Sequence, residues 1–190
     1  GLILLAVILN LTTSFGQSIV INEIVTDPQQ DWSSTSFTTP PGNSSGSNDE
    51  WIELYIKSAS INLTGWTIEL LDGTNVIGDL TSIGAFAVSN YITSGTGSFT
   101  NTEAGDFLVL GNVVGGETMT NSITINLKDS GGSIIDTVTI GGGIGEAPSG
   151  NASNVGDESV QRIPNGTDTN THNSDFSKGV TSLGALNPTQ

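Results

Sequence analysis

The sequence predicts an all-β fold in which two antiparallel sheets pack face to face. Several short segments alternate between apolar and polar residues, which is the period-two pattern of strands. Turn-forming residues are frequent between these segments, with 25 Gly among 190 residues. No segment combines an apolar three-four spacing with good helix formers. The sandwich is the economical arrangement of such strands, and a closed barrel is the alternative.

Two segments in the first half give the clearest strand signals. In residues 51–56 the Trp, Glu and Tyr side chains point to one face and the three aliphatic side chains point to the other. Residues 62–73 form the second segment, which ends on Asp-Gly, a strong hairpin turn signal. Because only a short link, residues 58–60, separates the two strands, we expect them to be neighbours in one sheet.

The remaining strands follow from the same alternation or from short apolar runs between turn residues. We expect long polar loops rich in Gly, Ser, Thr and Pro at residues 29–49, 89–105 and 141–156, and a polar tail at 164–176. The predicted strands, in chain order around the two segments above, are residues 18–25, 76–83, 85–88, 106–110, 122–127, 133–140 and 158–163.

The first residues have the pattern of a secretory signal peptide. Residues 2–9 are an unbroken apolar run, much shorter than the roughly 20 residues of a membrane-spanning helix. Small residues at Ser14 and Gly16 suit a cleavage site. We therefore expect residues 1–16 to be a truncated signal peptide, residues 17–190 to form one domain, and the protein to be secreted or on the cell surface without a transmembrane span. A buried first strand is the alternative.

The charge is strongly acidic, with 19 Asp and Glu against four Lys and Arg and a net charge of −15. Such a surface disfavours direct nucleic-acid binding, because that binding depends on Lys and Arg neutralising phosphates. It suits solubility and offers oxygen ligands to calcium. The chain has no cysteine, which excludes disulfides.

The sequence gives little support for catalysis, and we predict no catalytic residue. His172 is the single histidine and lies in a polar segment. Glu23 and Glu53 could approach each other across adjacent strands. The interpretation we favour is structural: such a glutamate accepts hydrogen bonds from loop amides or pairs with Arg162.

One cluster of residues could hold a calcium ion. Asp168, Asn170, Asn173 and Asp175 are spaced so that several side-chain oxygens could meet one hard cation. The same residues are ordinary turn formers, whose side chains bond to nearby backbone amides. No other cofactor is expected.

Two aromatic residues, Trp32 and Phe37, lie in the long loop of residues 29–49 rather than on a strand. Aromatic side chains on loops can contact a sugar ring or a partner protein. They are therefore candidate ligand-binding residues, although the interpretation we favour is that they fold back to cap one open end of the sandwich.

Several short motifs occur in order along the chain. They are Ile21–Glu23, Glu50–Leu54, Leu63–Trp66, Ala104–Leu110, Leu127–Gly132, Arg162–Thr169, Asp175–Phe176 and Gly184–Asn187. Together they resemble the lamin tail domain, most closely its bacterial, secreted branch. The resemblance covers residues 18–187 and implies an immunoglobulin-like sandwich that is not catalytic. The long loops at residues 29–49 and 141–156 depart from it.

These observations predict an extracellular, non-catalytic module for protein or glycan interaction, adhesion or domain spacing. Two alternatives stay open. The chain could be the accessory domain of a longer secreted hydrolase, such as a nuclease or phosphatase, or it could be a calcium-dependent adhesin. Fold alone does not choose among them.

Overall fold

The computed structural model describes residues 17–26, 50–72, 75–78, 92–111, 119–150 and 158–188. Within these ranges the chain forms ten strands and one short helix. In chain order they are β1 (Ile19–Val25), β2 (Trp51–Ile56), β3 (Thr67–Asp72), β4 (Asn75–Gly78), β5 (Ile92–Ser94), β6 (Phe107–Gly111), β7 (Ile123–Lys128), β8 (Ile134–Ile140), β9 (Glu158–Arg162), α1 (His172–Asp175) and β10 (Phe176–Val180).

The strands form two antiparallel sheets, which confirms the predicted all-β sandwich. The large sheet has the order β10-β9-β1-β2-β6-β5, and the small sheet has the order β4-β3-β7-β8. One hydrophobic cluster joins them: Ile21 and Leu54 come from the large sheet, and Ile125 and Val138 come from the small sheet, all essentially unexposed. Burying each such side chain contributes about 1.5–3 kcal/mol, so this shared core holds the two sheets together.

The strands with the clearest alternation form where the sequence predicts them. β7 and β8 pair as the predicted hairpin, with Ile125 opposite Val138. Its turn is fixed by Asp129, whose Oδ1 accepts hydrogen bonds from the backbone N–H groups of Gly131 at 2.9 Å and Ser133 at 2.8 Å. Asp is frequent at such positions because its side chain can bond to the backbone of its own turn in this way.

The prediction that residues 51–56 and 62–73 are sheet neighbours is wrong. β2 pairs with β1 and β6 in the large sheet, whereas β3 pairs with β4 and β7 in the small sheet. The link between them passes from one sheet to the other. In it Ser60 donates its backbone N–H to the carbonyl of Thr102 at 2.7 Å, and Leu63 enters the core. Alternation reveals which face of a strand is buried, but it does not reveal which sheet the strand joins.

Three elements were not predicted. β5 lies in the expected loop at residues 89–105, and α1 and β10 lie within or directly after the expected polar tail. β10 pairs along its whole length with β9 and forms one edge of the large sheet. Its sequence, FSKGV, contains a Gly and shows no clean alternation, so local sequence gave no strand signal.

Several sequence predictions fall outside the described residues. The signal peptide at residues 1–16, the loop at 29–49 and the strand at 85–88 are among them, and of the predicted strand at 76–83 only residues 76–78 are described. Within the described ranges, no helix has the length and apolar character needed to cross a membrane.

Candidate functional site

Two buried glutamates face each other across β1 and β2, and we call them the acid pair. Glu23 and Glu53 are direct partners in the antiparallel ladder, and both are 0% exposed. The register of β1 shifts at Asn22, between Ile21 and Glu23. Because a bulge adds one residue to a strand, this shift brings Glu23 to the face that Glu53 occupies.

The carboxylate of Glu23 accepts hydrogen bonds from two serines. Ser159 on β9 donates its Oγ–H at 2.5 Å. Ser182, just after β10, donates its backbone N–H at 2.9 Å and its Oγ–H at 2.8 Å. We define residues 181–188 as the C-terminal segment. Ser159 on β9 and Ser182 of the C-terminal segment therefore hold the same carboxylate.

The carboxylate of Glu53 is held in a similar way. Gly184 of the C-terminal segment donates its backbone N–H to Oε2 at 2.7 Å, and Asn22 donates its Nδ2–H to Oε1 at 3.0 Å. The expectation that these glutamates accept hydrogen bonds from loop amides is thus confirmed. The C-terminal segment lies over the face of the large sheet that carries the acid pair.

Burial changes the proton affinity of both glutamates. Loss of solvent raises the pKa of Glu23, although its bonds to Ser159 and Ser182 oppose that rise. The pKa of Glu53 lies well above its ordinary value because the side chain is buried and because the charge of Glu23 is close. Paired carboxylates with raised pKa values are typical of acid–base catalysis. This pair, however, is sealed from solvent by its own chain.

A second buried cluster surrounds Arg162, whose side chain is 0% exposed. Its guanidinium reaches Asp136 at 3.0 Å, Asp168 at 3.3 Å and Asp175 at 3.4 Å. These four residues form what we call the arginine cluster. Of the two alternatives expected for the glutamates, the hydrogen bonds from loop amides are the one observed, because these three aspartates hold Arg162 instead.

The arginine cluster ties the two sheets to the segment before β10. Asp136 comes from β8 of the small sheet, and its Oδ2 also accepts the backbone N–H of Ile21 on β1 at 2.7 Å. Arg162 donates further hydrogen bonds to the carbonyls of Ile21 at 2.7 Å and Thr167 at 2.8 Å, and it stacks 4.5 Å from the ring centre of Phe176. Burial raises the pKa of Asp136, and the charge of Arg162 acts against that rise.

The residues predicted to bind calcium are divided by the structure. Asp168 and Asp175 both contact Arg162, and Asp175 also accepts hydrogen bonds from the N–H and Oγ–H of Thr169. Asn170 and Asn173 are exposed. The described residues contain no group of three or more His, Cys, Asp and Glu arranged to hold a metal ion. The calcium site stays a prediction to which this geometry gives no support.

Three asparagines hold the C-terminal segment against the face of the large sheet that carries the acid pair. Asn187 donates its Nδ2–H to the carbonyls of Arg162 at 2.9 Å and Asn22 at 3.4 Å. Asn165 accepts hydrogen bonds from the backbone of Asn187 at 3.1 Å and the side chain of Asn22 at 2.8 Å. These bonds join three segments that are far apart in the sequence.

Trp32 and Phe37, the candidate ligand-binding residues, lie outside the described part of the chain. Trp51 is fully buried in the core, and the partly buried Trp66 packs against the same hydrophobic core. His172 accepts a hydrogen bond at Nδ1 from the backbone N–H of Thr139 at 3.2 Å, so the single histidine has a structural contact with β8.

The sequence did not predict a role for Asp136. This residue contacts Arg162 and also accepts the backbone N–H of Ile21 on β1, the strand that carries Glu23. The signal was present: Asp136 has the same strand phase as Val138 and Ile140, whose side chains are buried. A charged residue at a core-facing position needs a buried partner of opposite charge. With four basic residues in the chain, that requirement would have drawn attention to Arg162.

Comparisons of the chain with protein-family models, with curated proteins and with solved structures found no match.

Proposed function

We propose that the protein is an extracellular, non-catalytic β-sandwich module that binds a protein or glycan partner, in adhesion or as a spacer between domains. The observation that carries this proposal is the state of the acid pair. Glu23 and Glu53 are the groups that most resemble catalytic residues, yet both are fully buried and hydrogen-bonded to their own chain. A substrate could reach them only if the C-terminal segment were displaced.

The energetics of the two clusters support a scaffold role. Each buried carboxylate is compensated by several donors, and buried polar groups of this kind fix one arrangement of the chain. Ser182, Gly184 and Asn187 anchor the C-terminal segment, while Arg162 and Asp136 connect the sheets. A rigid sandwich of this kind can present loops to a partner, since loops on rigid scaffolds carry much of protein recognition.

The extracellular location and the lamin-tail relationship belong to the same proposal. The apolar run at residues 2–9, followed by small residues, supports secretion. The ordered motifs from Ile21 to Asn187 support the relationship. The net charge of −15 suits a dispersed extracellular protein that attracts partners of positive charge.

Binding of the purified chain to immobilised extracellular matrix proteins and glycans, measured by biolayer interferometry, tests the proposal. We expect saturable binding to at least one of them and no turnover of phosphodiester, phosphomonoester or glycosidic substrates. A double variant, Trp32→Ala with Phe37→Ala, is expected to weaken binding if the loop carries the site. Leu186→Ala is the control because Leu186 is a 67% exposed apolar residue elsewhere. Turnover that is lost in Glu53→Gln would overturn the proposal in favour of an enzyme.

A further inference from the structure

A small pocket lies on the outer face of the small sheet, away from the acid pair. It has a volume of about 200 Å³ and lies where β7 and β8 meet the glycine-rich loop, which we define as residues 141–146. We call it the sheet pocket. Leu71 and the buried side chains of Ile123 and Ile140 form its apolar part. Its polar groups are Ser122, Thr124, Thr139 and Glu146.

The polar groups of the sheet pocket are one carboxylate and three hydroxyls, all of which can accept hydrogen bonds. The hydroxyls of Thr124 and Thr139 hydrogen-bond to each other at 3.0 Å across neighbouring strands, and each keeps a lone pair for a further donor. Glu146 accepts the backbone N–H of Gly143 at its Oε2 at 2.9 Å. A carboxylate has about four acceptor positions, so this single bond leaves Glu146 able to accept a donor from a ligand.

The glycine-rich loop is built to hold Glu146 at the pocket. Backbone bonds join Ala147 to Thr139 at 3.0 Å and Glu146 to Gly143 at 3.2 Å. A Cβ at Gly143 would lie 2.8 Å from the Glu146 carboxylate, which is closer than real Cβ atoms come. Glycine at this position therefore allows the close approach. At the tip of the same loop, Ile144 is fully exposed.

We propose that the sheet pocket binds a lysine side chain of a partner protein. The ammonium donates hydrogen bonds to the Glu146 carboxylate and to the hydroxyls of Thr124 and Thr139, and its aliphatic stem packs against Leu71. Ile144 offers an apolar contact to the partner surface beside the pocket. This assignment rests on the proposed binding function, because it names the partner chemistry and the place of contact.

Lysine fits the pocket better than other cationic groups. An ammonium is a compact charge with three donors, which matches one carboxylate and two hydroxyls on separate elements. Arginine instead presents a planar fork suited to bidentate partners. Among the described residues, those that line the pocket include no aromatic ring on which an amino sugar could stack. The net charge of −15 steers a basic partner toward the chain.

An NMR titration of the full chain tests this assignment. The probe is Nα-acetyl-L-lysine methylamide, and the matched control ligand is the norleucine analogue, which has the same stem without the ammonium. We expect the lysine compound alone to shift the amide resonances of Thr124, Thr139, Gly143 and Glu146. Glu146→Gln should weaken binding about tenfold, the effect of losing one charge-assisted hydrogen bond. Thr139→Val, which removes only a hydroxyl, should also weaken it.

Glu103→Gln is the control variant, since it removes one negative charge from the turn before β6. Equal weakening in Glu103→Gln and Glu146→Gln would show general charge attraction and overturn the site. Equal binding of glucosamine and the lysine compound, or shifts confined to other residues, would also overturn it. If the pocket fails while the chain still binds a matrix protein or glycan, the proposed function stands and only the site is wrong. Absence of binding in both experiments would remove both.

Discussion

At the scale of single residues, two buried clusters organise the described part of the fold: Glu23 faces Glu53, and three aspartates hold Arg162. The sequence predicts that Glu23 and Glu53 can approach each other across adjacent strands, and the register shift at Asn22 brings them to one face. The partners of Arg162 could not be read in the same way. Asp136 and Asp175 come from different elements, and only the tertiary fold decides that they converge on one guanidinium.

Replacing Arg162 with Met is expected to destabilise the protein strongly. The change leaves Asp136, Asp168 and Asp175 without their shared cation, and losing one partner of a buried ion pair costs about 3–5 kcal/mol. Urea denaturation followed by tryptophan fluorescence measures the free energy of unfolding. Lys128→Met is the control, because the Lys128–Glu69 pair at 2.6 Å is partly exposed and is expected to contribute less than about 1 kcal/mol. Similar losses in the two variants would contradict a central role for Arg162.

The acid pair predicts a pH dependence of stability. The folded-state pKa values of Glu23 and Glu53 are raised above their ordinary value of 4.5, mainly by burial. Their contribution to stability is therefore fully present below that value and is lost as pH rises through the folded-state pKa values. We expect the pair to make the free energy of unfolding fall as pH rises above about 4.5.

Glu53→Gln isolates the contribution of the pair, because it removes one titrating group and the charge that Glu23 faces. Urea denaturation at a series of pH values should show a shallower fall in the variant than in the original chain. Glu103→Gln, which removes a carboxylate outside the acid pair, is the control, and the fall should be shallower in Glu53→Gln than in Glu103→Gln. A slope that is the same in all three proteins would show that the acid pair does not titrate in this range.

At the scale of elements, the alternation of apolar and polar residues predicted the strands that bury one face. It did not predict β10, whose sequence does not alternate. β7 and β8 formed as expected because Ile, Val and Leu alternate with polar residues. β10 was missed because its pairing with β9 supplies the order that its own sequence lacks. The C-terminal segment, too, is held by specific hydrogen bonds to distant residues rather than by a periodic apolar face.

Asn187→Ala tests whether the C-terminal segment is part of the folded domain. The substitution removes the donor that serves the carbonyls of Asn22 and Arg162. Leaving buried acceptors without a partner costs about 1–3 kcal/mol. Chemical denaturation should show this loss, and hydrogen exchange should show faster exchange at the amides of Ser182 and Gly184. Leu186→Ala, at an exposed neighbour, should change stability by less than about 0.5 kcal/mol. Unchanged exchange in Asn187→Ala would contradict the anchoring role.

At the scale of the whole molecule, composition and the number of strands predict a sandwich, but they do not predict the order of the strands in its two sheets. The large and small sheets share one core, and nothing in a single strand states which of the two it joins. Charge is different, because it is fixed by composition alone. A net charge of −15 with four basic residues means that the folded chain concentrates like charges in a small volume, whatever its topology.

We therefore expect salt to stabilise the protein. Self-repulsion of a highly charged chain disfavours the compact state, and the screening length falls from about 30 Å at 0.01 M salt to about 10 Å at 0.1 M. Thermal melting at neutral pH should show a rising midpoint as sodium chloride increases. Calcium chloride at matched ionic strength is expected to raise the midpoint by a similar amount, since Asp168 and Asp175 already hold Arg162. An additional rise with calcium that disappears in Asn173→Ala would contradict this expectation and support the calcium-dependent adhesin instead.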